Sequence, residues 1–189
     1  MTTTYKPAPA GKKTAAHKVG EALAPYDAGS DFAQSMADAF ARLIGANVVG
    51  GKASGGAKLF RSYAGGARLD TDVAASVARQ GLKAQAVEDW LLVAKLPKKG
   101  FYDGLRLSPS TLSRKGKDQM LDAAVTERLV RQSELMVKAA EVFGEGAATW
   151  MMKGHPLLGG ATPIIAATNE YGGTKVREIL NAIEHGGVV

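Results

Sequence analysis

Apolar residues recur at helical spacing through the first half of the chain. Phe32, Met36 and Phe40 begin such a pattern after Asp31, and Gly45 is the predicted end of this helix. Further patterns predict helices over residues 71–80, capped by an Asp, and over residues 84–94, with a short helix over residues 59–63. Four glycines, Gly50, Gly51, Gly55 and Gly56, lie around Lys52 and Lys58 and predict a loop.

The second half repeats this helical pattern. The longest amphipathic stretch covers residues 121–143, and shorter helices are predicted over residues 147–152 and 174–185. A stiff loop with Pro156 and Pro163 separates the last two, with Thr162 as a helix cap. Its two glycines, Gly159 and Gly160, are expected to allow close packing of the loop. Since no stretch alternates long enough to predict a strand, the fold class is all-α. The expected organisation is a flexible tail (1–30), a helical domain (31–118) and a second small helical domain (119–189).

The clearest local pattern of helix and turn signals lies within residues 98–117. Residues 98–104 predict a short helix with Phe101 buried, and Ser108 then caps a second helix whose first residue is Pro109. Two short helices joined by a three-residue turn are typical of a helix-turn-helix. The alternative is an ordinary corner between two helices on a basic surface.

The charge distribution favours the first interpretation. Residues 95–117 carry seven basic side chains and one acidic side chain, a net charge as large as that of the whole protein, +6. A solvated helix face is the simpler explanation of such a cluster, and a phosphate-binding surface is the functional one. Because the N-terminal end of the second helix faces base edges in this motif, the DNA-binding candidates are Lys98, Lys99, Ser108, Ser110, Thr111, Ser113, Arg114, Lys115 and Lys117.

Catalytic and metal chemistry find little support. The glycine-rich loop around Gly51 and Lys52 lacks the spacing of a P-loop and does not follow a predicted strand. The three histidines, His17, His155 and His185, do not form a metal-binding pair. With no cysteine and no apolar run of membrane-spanning length, we expect a cytoplasmic binding protein without enzyme activity, metal or cofactor.

The C-terminal third carries a set of motifs at fixed spacing. They are Val142-Phe143-Gly144, Trp150-Met151, the string from His155 to Pro163, Gly172-Gly173-x-x-Val176 and Leu180-x-x-Ile183-Glu184-His185-Gly186. Together they resemble the C-terminal toxin-binding domain of Xre/MbcA/ParS antitoxins. The stretches of residues 77–82 and 107–115 are similar to the Xre-like helix-turn-helix half of the same family. The resemblance covers residues 77–189, whereas residues 98–102 depart from it through Gly100, which weakens a helix by about 1 kcal/mol.

This resemblance implies a partner and a regulatory role. The partner would be a RES-domain toxin, similar to ADP-ribosyltransferases and consuming NAD, whose active site the antitoxin covers. The chain would also repress its own operon by binding operator DNA, as a homodimer within a larger toxin–antitoxin assembly. The cofactor would then belong to the toxin.

The side chains expected at the toxin are apolar anchors together with polar and terminal residues. They are Trp150, Lys153, His155, Leu157, Leu158, Lys175, Glu184, His185, Gly186 and Val189. Met151 and Met152 are further candidate anchors. Trp150 and Leu157 are equally compatible with the core of a small helical domain. A stand-alone transcriptional regulator whose C-terminal domain only dimerises remains the alternative function.

Overall fold

The described part of the protein is built mainly from helices. The computed structural model describes residues 28–47, 60–63 and 66–187. These residues form helices α1 (Ala28–Asn47), α2 (Thr71–Gln80), α3 (Gln85–Ala94), α4 (Lys98–Leu105), α5 (Pro109–Arg114), α6 (Ala123–Phe143), α7 (Ala147–Met152), α8 (Pro163–Ala166) and α9 (Glu170–Glu184). The all-α prediction is thereby confirmed, with one short hairpin added.

That hairpin replaces a predicted helix. Strands β1 (Phe60–Tyr63) and β2 (Gly66–Leu69) pair antiparallel, with Phe60 opposite Leu69 and Tyr63 opposite Gly66. The prediction of a helix over residues 59–63 was wrong for the four residues that the structure describes. Its two aromatic residues favour strands, and the pairing with β2 supplies the backbone hydrogen bonds of an extended segment.

The structure confirms the predicted start of α2 but not the predicted end of the first helix. The Asp70 carboxylate accepts hydrogen bonds from the backbone N–H groups of Asp72 and Val73, each at 3.2 Å, at the start of α2. Gly45 does not end the first helix, because α1 continues to Asn47. Helix α1 also begins at Ala28, inside the predicted tail. The rest of that tail, His17 and the glycine-rich loop around Gly51 and Lys52 lie outside the described residues.

Helix α6 runs through the middle of the protein. The sequence predicted one apolar face, but the structure also buries Val130, Leu135 and Val137. A helix buried around most of its circumference belongs in a core rather than on a surface. Accordingly α6 packs against α1, α2, α4, α7 and α9.

One hydrophobic cluster joins the two predicted domains. It includes Phe40 of α1 and Trp90 of α3, whose ring centroids lie 4.7 Å apart in an edge-on arrangement. It continues through α6 to Met151 and Ile164, beyond the predicted boundary at residue 118. The two halves of the described chain therefore share apolar packing.

Two glycines bring α4 close to the C-terminal elements. A Cβ atom at Gly104 would lie 2.9 Å from Cγ1 of Ile164 in α8, and one at Gly100 would lie 2.0 Å from Cε of Met152 in α7. Since residues four apart share one helix face, Gly100 and Gly104 form a flat surface on α4. Gly100, where the sequence departs from the helix-turn-helix of the resembled family, thus lies at a packing contact between α4 and α7.

We expect the Phe40–Trp90 contact to contribute strongly to stability. Phe40→Ala removes a fully buried ring and should lower the free energy of unfolding by about 3–5 kcal/mol. Chemical denaturation followed by circular dichroism measures this change. Tyr171→Ala is the control, because that ring is 90% exposed and its loss should cost no more than about 0.5 kcal/mol. Equal effects of the two substitutions would contradict the burial of Phe40 against Trp90.

Candidate functional site

The turn between α4 and α5 is closed by backbone hydrogen bonds. Arg106 adopts a left-handed conformation, φ 51°, and its N–H donates to the Asp103 carbonyl at 3.0 Å. The N–H of Leu107 donates to the Tyr102 carbonyl at 3.1 Å. This pair of bonds is a Schellman motif, which satisfies the last carbonyls of α4 and turns the chain toward α5.

Ser108 caps the N-terminal end of α5, as predicted. Its Oγ accepts a hydrogen bond from the Thr111 N–H at 3.0 Å and lies 2.9 Å from Ser110 Oγ and 2.7 Å from Thr111 Oγ1. Pro109 occupies the first position of the helix. The three hydroxyls therefore meet at the N-terminal end of α5, while Ser113 is exposed one turn further along.

The predicted basic residues have different environments. Lys98, Lys99, Arg114 and Lys117 are exposed, and Lys99 lies 4.0 Å from Asp103. Lys115 instead points to the start of α6, where its Nζ donates to the Met120 carbonyl at 3.2 Å and lies 3.4 Å from the Asp122 carboxylate. The sequence predicted that Lys115 contacts phosphates. In the structure its ammonium group instead links the C-terminal end of α5 to the residues just before α6.

The segment that follows α5 is fixed to the start of α3. The N–H of Ala84 donates to the Gln119 carbonyl at 2.8 Å, and that of Leu121 donates to the Leu82 carbonyl at 2.7 Å. Lys83 and Asp118 add an ion pair of 2.8 Å between these two segments. We call this set of contacts the strap. It fixes the segment between α5 and α6 to the residues that precede α3.

The loop between α7 and α8 is closed by His155. Its N–H donates to the Ala161 carbonyl at 3.1 Å, its carbonyl accepts from the Gly160 N–H at 3.1 Å, and its Nδ1 accepts from the Leu157 N–H at 3.3 Å. Its ring centroid lies 6.1 Å from that of Trp150. His155 is therefore first of all a structural residue of the loop.

The two glycines of this loop serve its backbone conformation. The sequence predicted that they pack closely, but a Cβ at Gly159 or Gly160 would meet no atom within 4 Å. Their φ angles, 64° and 83°, are instead in the left-handed region, which other residues adopt only at a cost. The prediction of close packing at these glycines was therefore wrong.

The predicted apolar anchors are buried to different degrees. Leu157 is 45% exposed, whereas Trp150 is half-buried and stacks on Phe143 with 5.2 Å between ring centroids. Leu158 is half-buried as well. Met151 is fully buried, so it belongs to the core and was wrongly considered an anchor.

Most of the remaining candidate toxin-binding residues lie on α9 or directly after it. Glu184 pairs with Lys138 of α6 at 2.6 Å, which fixes the end of α9 to the central helix. His185 follows as the exposed C-cap, 3.8 Å from Glu184, and Gly186 has a φ of 73°. Lys153 and Lys175 are exposed, and Val189 lies outside the described residues.

Two exposed apolar residues were missed by the sequence analysis. Ile165 on α8 is 39% exposed, and Tyr171 on α9 is 90% exposed. The last helix was predicted to begin at residue 174, but α9 begins at Glu170, where the Asn169 carboxamide accepts from the Gly172 N–H at 3.0 Å. The Asn169 cap was the available signal, and it was obscured by two glycines that disfavour a helix.

Those glycines permit a tight junction between α8 and α9. A Cβ at Gly172 would lie 1.9 Å from the Ala166 carbonyl oxygen, and one at Gly173 would lie 2.7 Å from the Arg131 side chain. We call this junction of α8 with the first turn of α9 the elbow. Its backbone contact fixes Ile165 and Tyr171 relative to each other.

A network of ion pairs holds α9 against α6. Arg131, only 7% exposed, pairs with Glu127 and with Glu170, the latter at 2.9 Å. Arg177 binds Glu134 through two hydrogen bonds of 2.9 and 2.8 Å, and these raise the pKa of the guanidinium. The network lines a cavity of about 400 Å³ that faces the alanines of α2. Its paired charges indicate a structural role.

Among the residues that the structure describes, no cluster of His, Asp and Glu side chains has the arrangement of a metal site. Within the same residues, no helix combines the length and the apolar character needed to cross a membrane.

The C-terminal part of the chain is similar to known antitoxins. Residues 138–186 match the model of the antitoxin Xre/MbcA/ParS C-terminal toxin-binding domain. The chain is also similar to a protein named antitoxin Xre from Pseudomonas putida, with 36% identity over 76 residues. That match covers 39% of this chain and 48% of the relative, so the chain spans about half the length of the curated relative it matches.

The strap gives a pH-dependent prediction. The hydrogen bond from Lys83, and then its charge, lower the pKa of the Asp118 carboxyl. The pair therefore stabilises the folded state above the pKa of an unfolded Asp, about 3.9, and this stabilisation is lost as the pH falls through the lowered value. Lys83→Met should raise the pKa of Asp118 toward its ordinary value, as measured by an NMR titration. Lys175→Met, which removes another lysine, should leave it unchanged, and equal titration curves for all three proteins would refute the pairing.

The elbow gives a stability prediction. Gly172→Ala forces a Cβ against the Ala166 carbonyl and should destabilise the protein by about 3 kcal/mol. Gly146→Ala is a matched control, since its Cβ would meet Phe143 at an ordinary 3.7 Å and should cost no more than about 0.5 kcal/mol. Thermal unfolding measures both. A Gly172→Ala protein as stable as the control would contradict the close contact.

Proposed function

We propose that the chain neutralises a toxin, because residues 138–186 match the model of the antitoxin Xre/MbcA/ParS C-terminal toxin-binding domain, in the region where the sequence motifs resemble that domain. The partner is a RES-type enzyme, similar to ADP-ribosyltransferases and consuming NAD, and the antitoxin covers its active site. The chain acts in the cytoplasm as a binding protein, without catalysis or a cofactor of its own. The observation that carries this proposal is the family match over residues 138–186.

The rigidity of the predicted surface supports inhibition by occlusion. The His155 bonds close the loop, and the Thr162 hydroxyl accepts from the Ile165 N–H at 3.4 Å at the start of α8. Ordering a flexible segment on binding would cost free energy, so a surface fixed beforehand binds more tightly. The exposed Leu157 and the neighbouring Lys153 then meet the toxin directly, while His155 and Glu184 keep the surface in shape.

We further propose that α4 and α5 bind operator DNA and repress the operon. Four exposed cations, Lys98, Lys99, Arg114 and Lys117, surround the two helices and suit phosphate contacts. The hydroxyl cluster at the start of α5, with Ser113, faces base edges. The proposed division of labour assigns DNA to residues 31–118 and the toxin to residues 119–189, in a homodimer that reads two half-sites.

Co-expression tests the proposed neutralisation. The full chain and the product of the reading frame adjacent to its gene should form a stable complex and relieve growth arrest. Absence of a complex together with unrelieved toxicity would overturn the antitoxin proposal. Operator binding without any toxin would then favour the stand-alone regulator.

A pair of double substitutions separates the two proposed activities. Arg114→Ala with Lys117→Ala should weaken binding to the promoter DNA of the operon and reduce its salt dependence by about one unit of slope per lost phosphate contact. The same variant should bind toxin normally. Lys153→Ala with Lys175→Ala removes equal charge and should have the reverse effect. Gel-shift titrations at several salt concentrations and toxin-binding calorimetry measure both, and equal losses of DNA affinity in the two variants would contradict the helix-turn-helix assignment.

A further inference from the structure

Large apolar side chains are concentrated at one exposed region of the protein. In the part of the chain that the structure describes, the exposed large apolar residues are Leu92, Leu157, Ile165 and Tyr171. The last three fall within 15 residues of one another and inside the matched toxin-binding domain. Single exposed apolar residues are normal, whereas a group of them marks an interaction surface.

The contacts between elements bring the backbone segments that carry these three residues close together. Helix α8, which carries Ile165, packs against both α7 and α9. At the elbow, Ala166 and Gly172 are in backbone contact, and these residues directly follow Ile165 and Tyr171. The bond from the His155 N–H to the Ala161 carbonyl brings the turn with Leu157 back to the start of α8. We call Leu157, Ile165 and Tyr171 the elbow patch.

Folding does not explain the apolar character of the elbow patch. Ile164 supplies the buried side chain of α8 and Gly172 makes the close contact of α9, while Ile165 and Tyr171 face outward. The Tyr171 ring is 90% exposed, so a polar residue there would serve the fold equally well. An aromatic side chain on a backbone fixed by two helix caps is instead the usual form of an interface anchor.

The surroundings of the elbow patch fit a specific interface. Lys175 is exposed one helical turn after Tyr171, and Lys153 is exposed in the loop before Leu157. Glu178 follows Lys175 on the exposed side of α9. An apolar centre with a charged rim is the usual organisation of a protein–protein interface.

We propose that the elbow patch is the apolar centre of the toxin-binding surface, with Tyr171 as its principal anchor. This inference rests on the proposed function and adds two residues, Ile165 and Tyr171, that link the predicted loop residues to those of α9. The occupant is the toxin rather than a second copy of this chain, because the entire patch lies inside the toxin-binding domain. The toxin therefore presents an apolar pocket that receives the Tyr171 ring.

The test compares two variants of the full chain with a matched control. Tyr171→Ala and Ile165→Ser should each weaken binding of the purified adjacent-frame product at least about tenfold in calorimetry. Leu92→Ser changes an apolar residue that is 78% exposed on α3, outside the matched residues 138–186, and should bind like the wild type. Thermal unfolding of all four proteins checks that each variant is folded.

The outcomes separate the patch from the proposed function. If the wild-type chain binds the toxin and both folded variants bind equally well, the elbow patch is wrong and the antitoxin function stands. If the wild-type chain does not bind, the proposed function fails and the patch with it. If the variants keep their toxin affinity but lose self-association in light scattering, the patch joins two copies of this chain, which also overturns the inference.

Discussion

The burial of α6 is the constraint on which the arrangement of the protein depends. The helix packs against α1, α2, α4, α7 and α9, and its apolar side chains belong to the common hydrophobic cluster. Charged side chains of the same helix then fix its neighbours, because Arg128 donates to the Leu105 carbonyl at 2.7 Å and Lys138 binds Glu184. The proposed DNA-binding helices and the proposed toxin-binding surface therefore take their positions from a single helix.

Local signals allowed much of the fold to be predicted. Asp70, Ser108 and Thr162 were recognised as caps because a cap bonds to the backbone only two or three residues away. Signals that depend on distant packing were missed. Gly45 lies within α1, where the burial of Leu43 and Ile44 on the core offsets its low helix propensity.

The candidate sites were predicted less completely than the fold, for a related reason. Basic residues cluster along the sequence, but the acceptors that engage Lys115 become visible only when the start of α6 is placed beside α5. Likewise, the partner of Glu184 is 46 residues away. Tyr171 was missed because its exposure depends on where α9 begins. The sequence thus identified the candidate regions. Which of their side chains are exposed and which are paired within the protein depends on three-dimensional contacts.

The flat glycine face of α4 has a consequence for how such proteins can change. Gly104 lies against Ile164, and the neighbouring Ile165 is part of the elbow patch, so the two surfaces are separated by one short helix. A substitution in α8 that changes the proposed toxin-binding surface also alters the packing of α4. We therefore expect the two proposed recognition specificities to be inherited together. Hybrids made by exchanging one half between relatives should fold poorly unless α4 and α8 come from the same parent.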